Sequence, residues 1–164
     1  MNGVPPMSSQ LQQAMTTCLR LLTATAKSRN EMAWKLKQRG YEGNVIKEAL
    51  DELEKQGILN DRVYANDLVS RFRFAKPSGT RKMRFELKRH GISEKLSAEV
   101  LEPIGEEEEM SRARELVLSR LPRLERLEPL KKKKRLYDLL MRRGFDYPIV
   151  RDVVEEMIRT PDAL

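Results

Sequence analysis

Between Arg71 and Arg89 the chain carries eight cations, Arg71, Arg73, Lys76, Arg81, Lys82, Arg84, Lys88 and Arg89, against a single acid, Glu86. Neighbouring like charges on a helix repel by about a few tenths of a kcal/mol per pair. A run so poor in alternating acids points to an anion outside the chain, either nucleic-acid phosphate or an acidic protein surface. On a helix Arg81, Arg84 and Lys88 stand at i, i+3 and i+7 and share one face. A second run, Lys131, Lys132, Lys133, Lys134 and Arg135, opens a helix, where the macrodipole disfavours cations. That local cost suggests a role outside the helix, so Lys131, Lys132 and Lys134 join the first eight as candidate partner- or nucleic-acid-binding residues.

Groups for covalent or metal chemistry are scarce. His90 is the single histidine and precedes a glycine at the position where Arg39 and Arg143 precede theirs, so it reads as a helix-end polar group rather than a base. Cys18 is the single cysteine, which rules out an internal disulfide; its apolar neighbours make it a small core residue. Glu106 to Glu109 open a helix, where acid is favoured by the dipole, and no histidine or cysteine is spaced to complete a metal shell. The glycines stand singly, so no phosphate-cradling loop exists. The expectation is a protein without catalytic residues, metal or cofactor.

The positioning elements come from a repeat. Aligning Gly40, Gly91 and Gly144 brings Met32, Met83 and Leu136 into one column and Leu36, Leu87 and Leu140 into the next. Tyr41, Ile92 and Phe145 follow, then Val45, Leu96 and Ile149, then Leu50, Leu101 and Val154. The period is about fifty residues. In each copy a helix with an i, i+4 apolar pair ends at a glycine suited to a left-handed cap, and a second amphipathic helix follows. Ser28 and Glu31 have capping-box spacing, Asn60 or Asp61 and Ser93 are N-caps, and Pro148 lies in the first turn of the last helix. The helix preceding the first pair should bury Leu11, Met15, Leu19 and Leu22. The one opening the second copy should bury Val63, Tyr64, Leu68 and Phe72. Trp34 lies off the Met32/Leu36 stripe and is expected at an inter-unit contact rather than as a surface anchor.

The reading is therefore all-α: three tandem three-helix units forming an elongated, curved array. A loose tail is expected over residues 1–10, with units over 11–57, 58–104 and 105–160. Of 164 residues 35% are charged and 5% aromatic, the balance of helices with wet surfaces. The formal charge is +7, distributed as +2 over residues 1–56, +4 over 57–104 and +1 over 105–164. No apolar run approaches a membrane span, and the N-terminus lacks signal-peptide layout, so a cytoplasmic location and no membrane partner are expected.

The same residues resemble the bacterial RecX family of RecA modulators. The likeness runs through Ser28-Arg29-x-Glu31, Lys35-Leu36-x-x-Arg39-Gly40 and Gly57-Ile58-Leu59-Asn60-Asp61 with Tyr64-Ala65. It continues through Gly79-x-x-x-Met83-x-x-Glu86-Leu87-x-x-x-Gly91-Ile92, Ala113-x-Glu115-Leu116 and Arg142-Arg143-Gly144-Phe145-x-Tyr147-x-x-Val150. Asn60 stands where the family usually has aspartate, and Lys76-Pro77-Ser78 replaces a basic-glycine-tyrosine approach to Gly79. The resemblance implies a monomer that binds RecA protein and lies in the groove of the RecA–single-stranded DNA filament. It also implies suppression of ATPase, strand exchange and co-protease activity, with free DNA as a secondary partner. A tri-helical DNA-binding protein acting independently of RecA is the alternative; the regularly spaced tryptophans of Myb-like repeats are absent.

Overall fold

The computed structural model describes residues 7–159. Among them the chain forms nine α-helices and no strand: α1 Met7–Ala24, α2 Arg29–Gln38, α3 Gly43–Lys55, α4 Asp61–Ser70, α5 Thr80–Arg89, α6 Glu94–Leu101, α7 Glu106–Arg120, α8 Pro129–Arg142 and α9 Tyr147–Arg159. The closest helix–helix packing falls within α1–α3, α4–α6 and α7–α9, giving tandem three-helix units. Each has its own apolar core, centred on Met32/Leu36, Met83/Leu87 and Leu136/Leu140. The expected tail lies outside the described residues at 1–6, while helix α1 already begins at Met7; residue 160 also lies outside.

The repeat columns act as helix stops. Gly40, Gly91 and Gly144 all have positive φ, 84°, 75° and 77°. The residue after each donates its N–H five positions back: Tyr41 to the Leu36 carbonyl, Ile92 to Leu87 and Phe145 to Leu140. This is the Schellman closure, and it drops an apolar side chain onto the core. Ser28 caps α2 as a full capping box, Asn60 accepts from the Arg62 and Val63 N–H groups, and Ser93 caps α6. Val45, Ile46, Ala49, Leu50 and Leu53 form the buried stripe of α3, as expected.

Three expectations fail. In α1 the buried positions are Ala14, Thr17 and Cys18, while Leu19 is exposed, because the stripe through Leu11, Met15 and Leu22 turns through Cys18 and leaves Leu19 at its edge. In α4 Val63 faces solvent, and Ala65 and Val69 join Tyr64 and Leu68 in the core. Trp34 is 58% exposed and is not packed between units. The end of α4 also differs from a plain stop. Residues Arg71–Ala75 form a π turn, with the Lys76 N–H donating to the Arg71 carbonyl at 2.9 Å. Such a turn inserts one residue per hydrogen-bonded ring, and it carries the chain round to Ser78 and Gly79.

The units meet end to end at their central helices. The His90 carbonyl, at the end of α5, accepts from the Ser28 hydroxyl at the start of α2 (2.5 Å). The Arg143 carbonyl, at the end of α8, accepts from the Gly79 N–H at the start of α5 (2.9 Å). Negative helix ends therefore face positive ones, and orphan terminal groups satisfy each other. At both junctions a carboxylate from the next unit's first helix caps the preceding central helix. Asp61 accepts from the Arg29 N–H, and Glu109 accepts from the Thr80 N–H and hydroxyl.

Candidate nucleic-acid interface

Stacking α8, α5 and α2 in this way brings cations from three units onto one side. Four hollows chain together through shared walls. The first, about 590 Å³, holds Lys27, Lys35, Lys37 and Arg89 around Trp34. Lys27 and Arg89 also line the second, about 710 Å³, which adds Arg71 and Lys76. Lys76 passes to a third of about 450 Å³, where Lys82, Arg142 and Arg143 meet with no acid on the wall. Arg142 in turn lines a fourth, about 530 Å³, with Lys131, Lys134 and Arg135. The acids along this path are Glu31, Asp67, Glu86 and Asp138. Two of them are engaged locally. Glu86 pairs with Arg89 (2.7 Å) and Lys82 (3.4 Å), and Glu31 accepts from the Ser28 N–H and bonds His90 Nδ1 at 2.8 Å. The result is a basic groove crossing all three units, with apolar patches from Phe72, Leu139 and Ile46 in its walls.

The sequence candidates divide accordingly. Arg71, Lys76, Lys82, Arg89, Lys131 and Lys134 line the groove. Arg73 is held at the junction of the second and third units by Glu108 at 2.8 Å. Arg81 donates to the Met141 carbonyl at 3.2 Å, linking the same two units. Arg84 lines a separate hollow with Glu102, Glu106, Glu109 and Asp146. Lys88 is exposed, and Lys132 is half-buried outside the groove walls. So Arg81, Arg84 and Lys88 share a helix face without sharing a site. The groove uses the neighbouring flank of α5, where Lys82 and Arg89 bracket Glu86. Lys27, Lys35, Lys37, Arg135, Arg142 and Arg143 were not among the sequence candidates. The Arg142-Arg143 pair was read as a helix end and as part of a family motif, not as a binding pair.

The groups with chemical potential are used for packing. The Cys18 thiol is fully buried, and burial pushes its pKa up to about 11, so it stays protonated. His90 caps α5, bonds Glu31 across the first junction and meets the Tyr64 hydroxyl of its own unit at 3.0 Å. Burial alone would raise the Glu31 carboxyl. The Ser28 N–H and the His90 ring outweigh it and hold the carboxyl below its ordinary value. Burial and the nearby Glu31 charge push the Tyr64 phenol up to about 12. Among the described residues no group of three or more His, Cys, Asp or Glu is placed to hold a metal ion, and none of their helices is long and apolar enough to cross a membrane.

Residues 14–53 match the family profile described as RecX, first three-helix domain, and residues 106–154 that of the RecX third three-helix domain. The regulatory protein RecX of Mycobacterium sp. (strain KMS) is 40% identical over 148 residues, covering 87% of this chain and 80% of its own. The chain belongs to the RecX family. RecX of Chlorobium limicola is 30% identical over 148 residues, covering 90% of this chain and 91% of its own. The crystal structure of RecX from Lactobacillus salivarius superposes with a TM-score of 0.83 at 18% identity, covering 93% of this chain and 99% of that one. The RecX fold is thus kept where most side chains differ.

Proposed function

We propose that this RecX-family chain is a regulator rather than a catalyst and acts on the RecA–single-stranded DNA filament, lying in its groove and suppressing ATPase, strand exchange and co-protease activity. Family membership supports a regulatory role connected to RecA. The observation that carries the finer reading is the continuity of the basic groove, passed from unit to unit through Lys27, Arg89, Lys76 and Arg142. A surface distributed over serial units suits an extended anionic partner better than a compact ligand, because each unit adds a few contacts along the partner's length. The test is RecA ATPase on single-stranded DNA with substoichiometric amounts of this chain. A fall in turnover together with shortened filaments is expected. Unchanged turnover and filament length would defeat the reading, and binding to DNA without any effect on RecA would favour an independent DNA-binding protein.

A further inference from the structure

The first hollow holds a feature that phosphate contacts do not require. Trp34, the only tryptophan, is 58% exposed in a wall that also carries four cations, Lys27, Lys35, Lys37 and Arg89. A large aromatic left in water forgoes substantial burial energy, so its placement among Lys27, Lys35, Lys37 and Arg89 asks for a ligand with both a flat apolar part and negative charge. The Lys35 ammonium lies 5.5 Å from the ring centroid, holding the indole by a cation–π contact and standing where a neighbouring anion would meet it. The one carboxylate in the wall, Glu31, is committed to Ser28 and His90. Trp34 lies six residues before Gly40. Phe85 lies six before Gly91 and is 62% exposed, so an uncovered aromatic recurs at this register of the central helix. In the third unit the position is Asp138, which confines the feature to the first two.

We infer that the Trp34 hollow is a stacking site for an unpaired base of a single-stranded nucleic acid, with the flanking phosphates on Lys27, Lys37 and Arg89. Unpaired bases offer a π face to the indole, whereas paired bases in a duplex are stacked on each other and present only edges and backbone. This goes beyond the action on RecA and is tested without it. Trp34 is its own reporter: in the full-length chain at low salt, oligothymidylate is titrated while indole emission and the anisotropy of a labelled oligothymidylate are followed together. Emission should be quenched in step with binding. Trp34→Ala should weaken binding about tenfold, and Trp34→Phe should recover most of the loss. Lys37→Glu should weaken binding while leaving the quench at saturation unchanged. Binding without quenching, the same affinity in Trp34→Ala, or no binding at all would overturn the site. So would quenching by polyglutamate but not by oligothymidylate, which would mark a surface for acidic protein.

Discussion

The two junctions between units share one plan but differ in how tightly they are built. At the first, Gly91 packs on the Asn30 side chain, the Ser28 hydroxyl bridges to the His90 carbonyl, and Glu31, His90 and Tyr64 complete a polar cluster. At the second, side chains give way to backbone. Gly79 stands where an added Cβ would fall 2.2 Å from the Gly144 carbonyl oxygen, and one on Gly144 would fall 2.5 Å from the Lys82 nitrogen. A direct N–H···O bond from Gly79 to Arg143 replaces the serine bridge, and buried Glu109 caps α5. The comparison separates two duties of one glycine column. Gly40 ends its helix and, among the described residues, an added Cβ there meets nothing within 4 Å; Gly91 and Gly144 must also let a neighbour in.

Breaking that contrast should have its largest effect at Gly79. Its φ is ordinary, so Gly79→Ala strains no backbone angle, but the new methyl would overlap backbone that cannot rotate away. A loss of about 3 kcal/mol in urea unfolding is expected. Gly40→Ala meets only the left-handed φ and should cost about 1–2 kcal/mol. Equal losses would erase the distinction between capping and close approach.

A smaller contrast is expected between the capping carboxylates. Glu109→Ala removes a buried carboxylate, leaves the half-buried Thr80 N–H and hydroxyl without it, and should cost about 2 kcal/mol. Asp61 is only half-buried, so water can replace it at the Arg29 N–H; Asp61→Ala should cost about 1 kcal/mol or less. Thermal melts of the two variants decide, and the reverse order would contradict the burial argument.

The smallest effect concerns acid. The folded Glu31 carboxyl is held below 4.5, so its stabilisation is complete above that value and is lost as pH falls through the folded pKa. Wild type should therefore lose more melting temperature than Glu31→Gln on moving from neutral pH to the acid side of 4.5. Parallel losses would mean that Glu31 contributes nothing at the first junction.

Much of the fold was readable because helix stops and core stripes are local. Gly40, Gly91 and Gly144 fix three helix ends, and the apolar columns around them fall in the cores. The misses lie where local periodicity is ambiguous: Leu19 and Val63 each stand beside a buried stripe, and the π turn at Arg71–Ala75 has no composition signal. The site was less readable because it belongs to the stacking. Arg142 and Lys76 share a hollow only once α8 abuts α5, a relation between residues 66 positions apart that no spacing rule reaches. Trp34 was misplaced for the opposite reason, since apolar character argued for burial. Its register match with Phe85, six residues before a cap glycine, was the available signal of a repeated exposed position.

On the proposed function the junctions matter because they align the groove, and the most direct test of that account removes the charge while keeping the stack. Lys76, Lys134 and Arg142 have no ion pair that holds a junction, and all three are exposed. Reversing all three to glutamate should leave the melting temperature near wild type while abolishing the effect on RecA ATPase over single-stranded DNA. Wild-type suppression by the triple variant would contradict the account, whereas reversal of Lys88, exposed on α5 outside the groove, is expected to leave suppression intact.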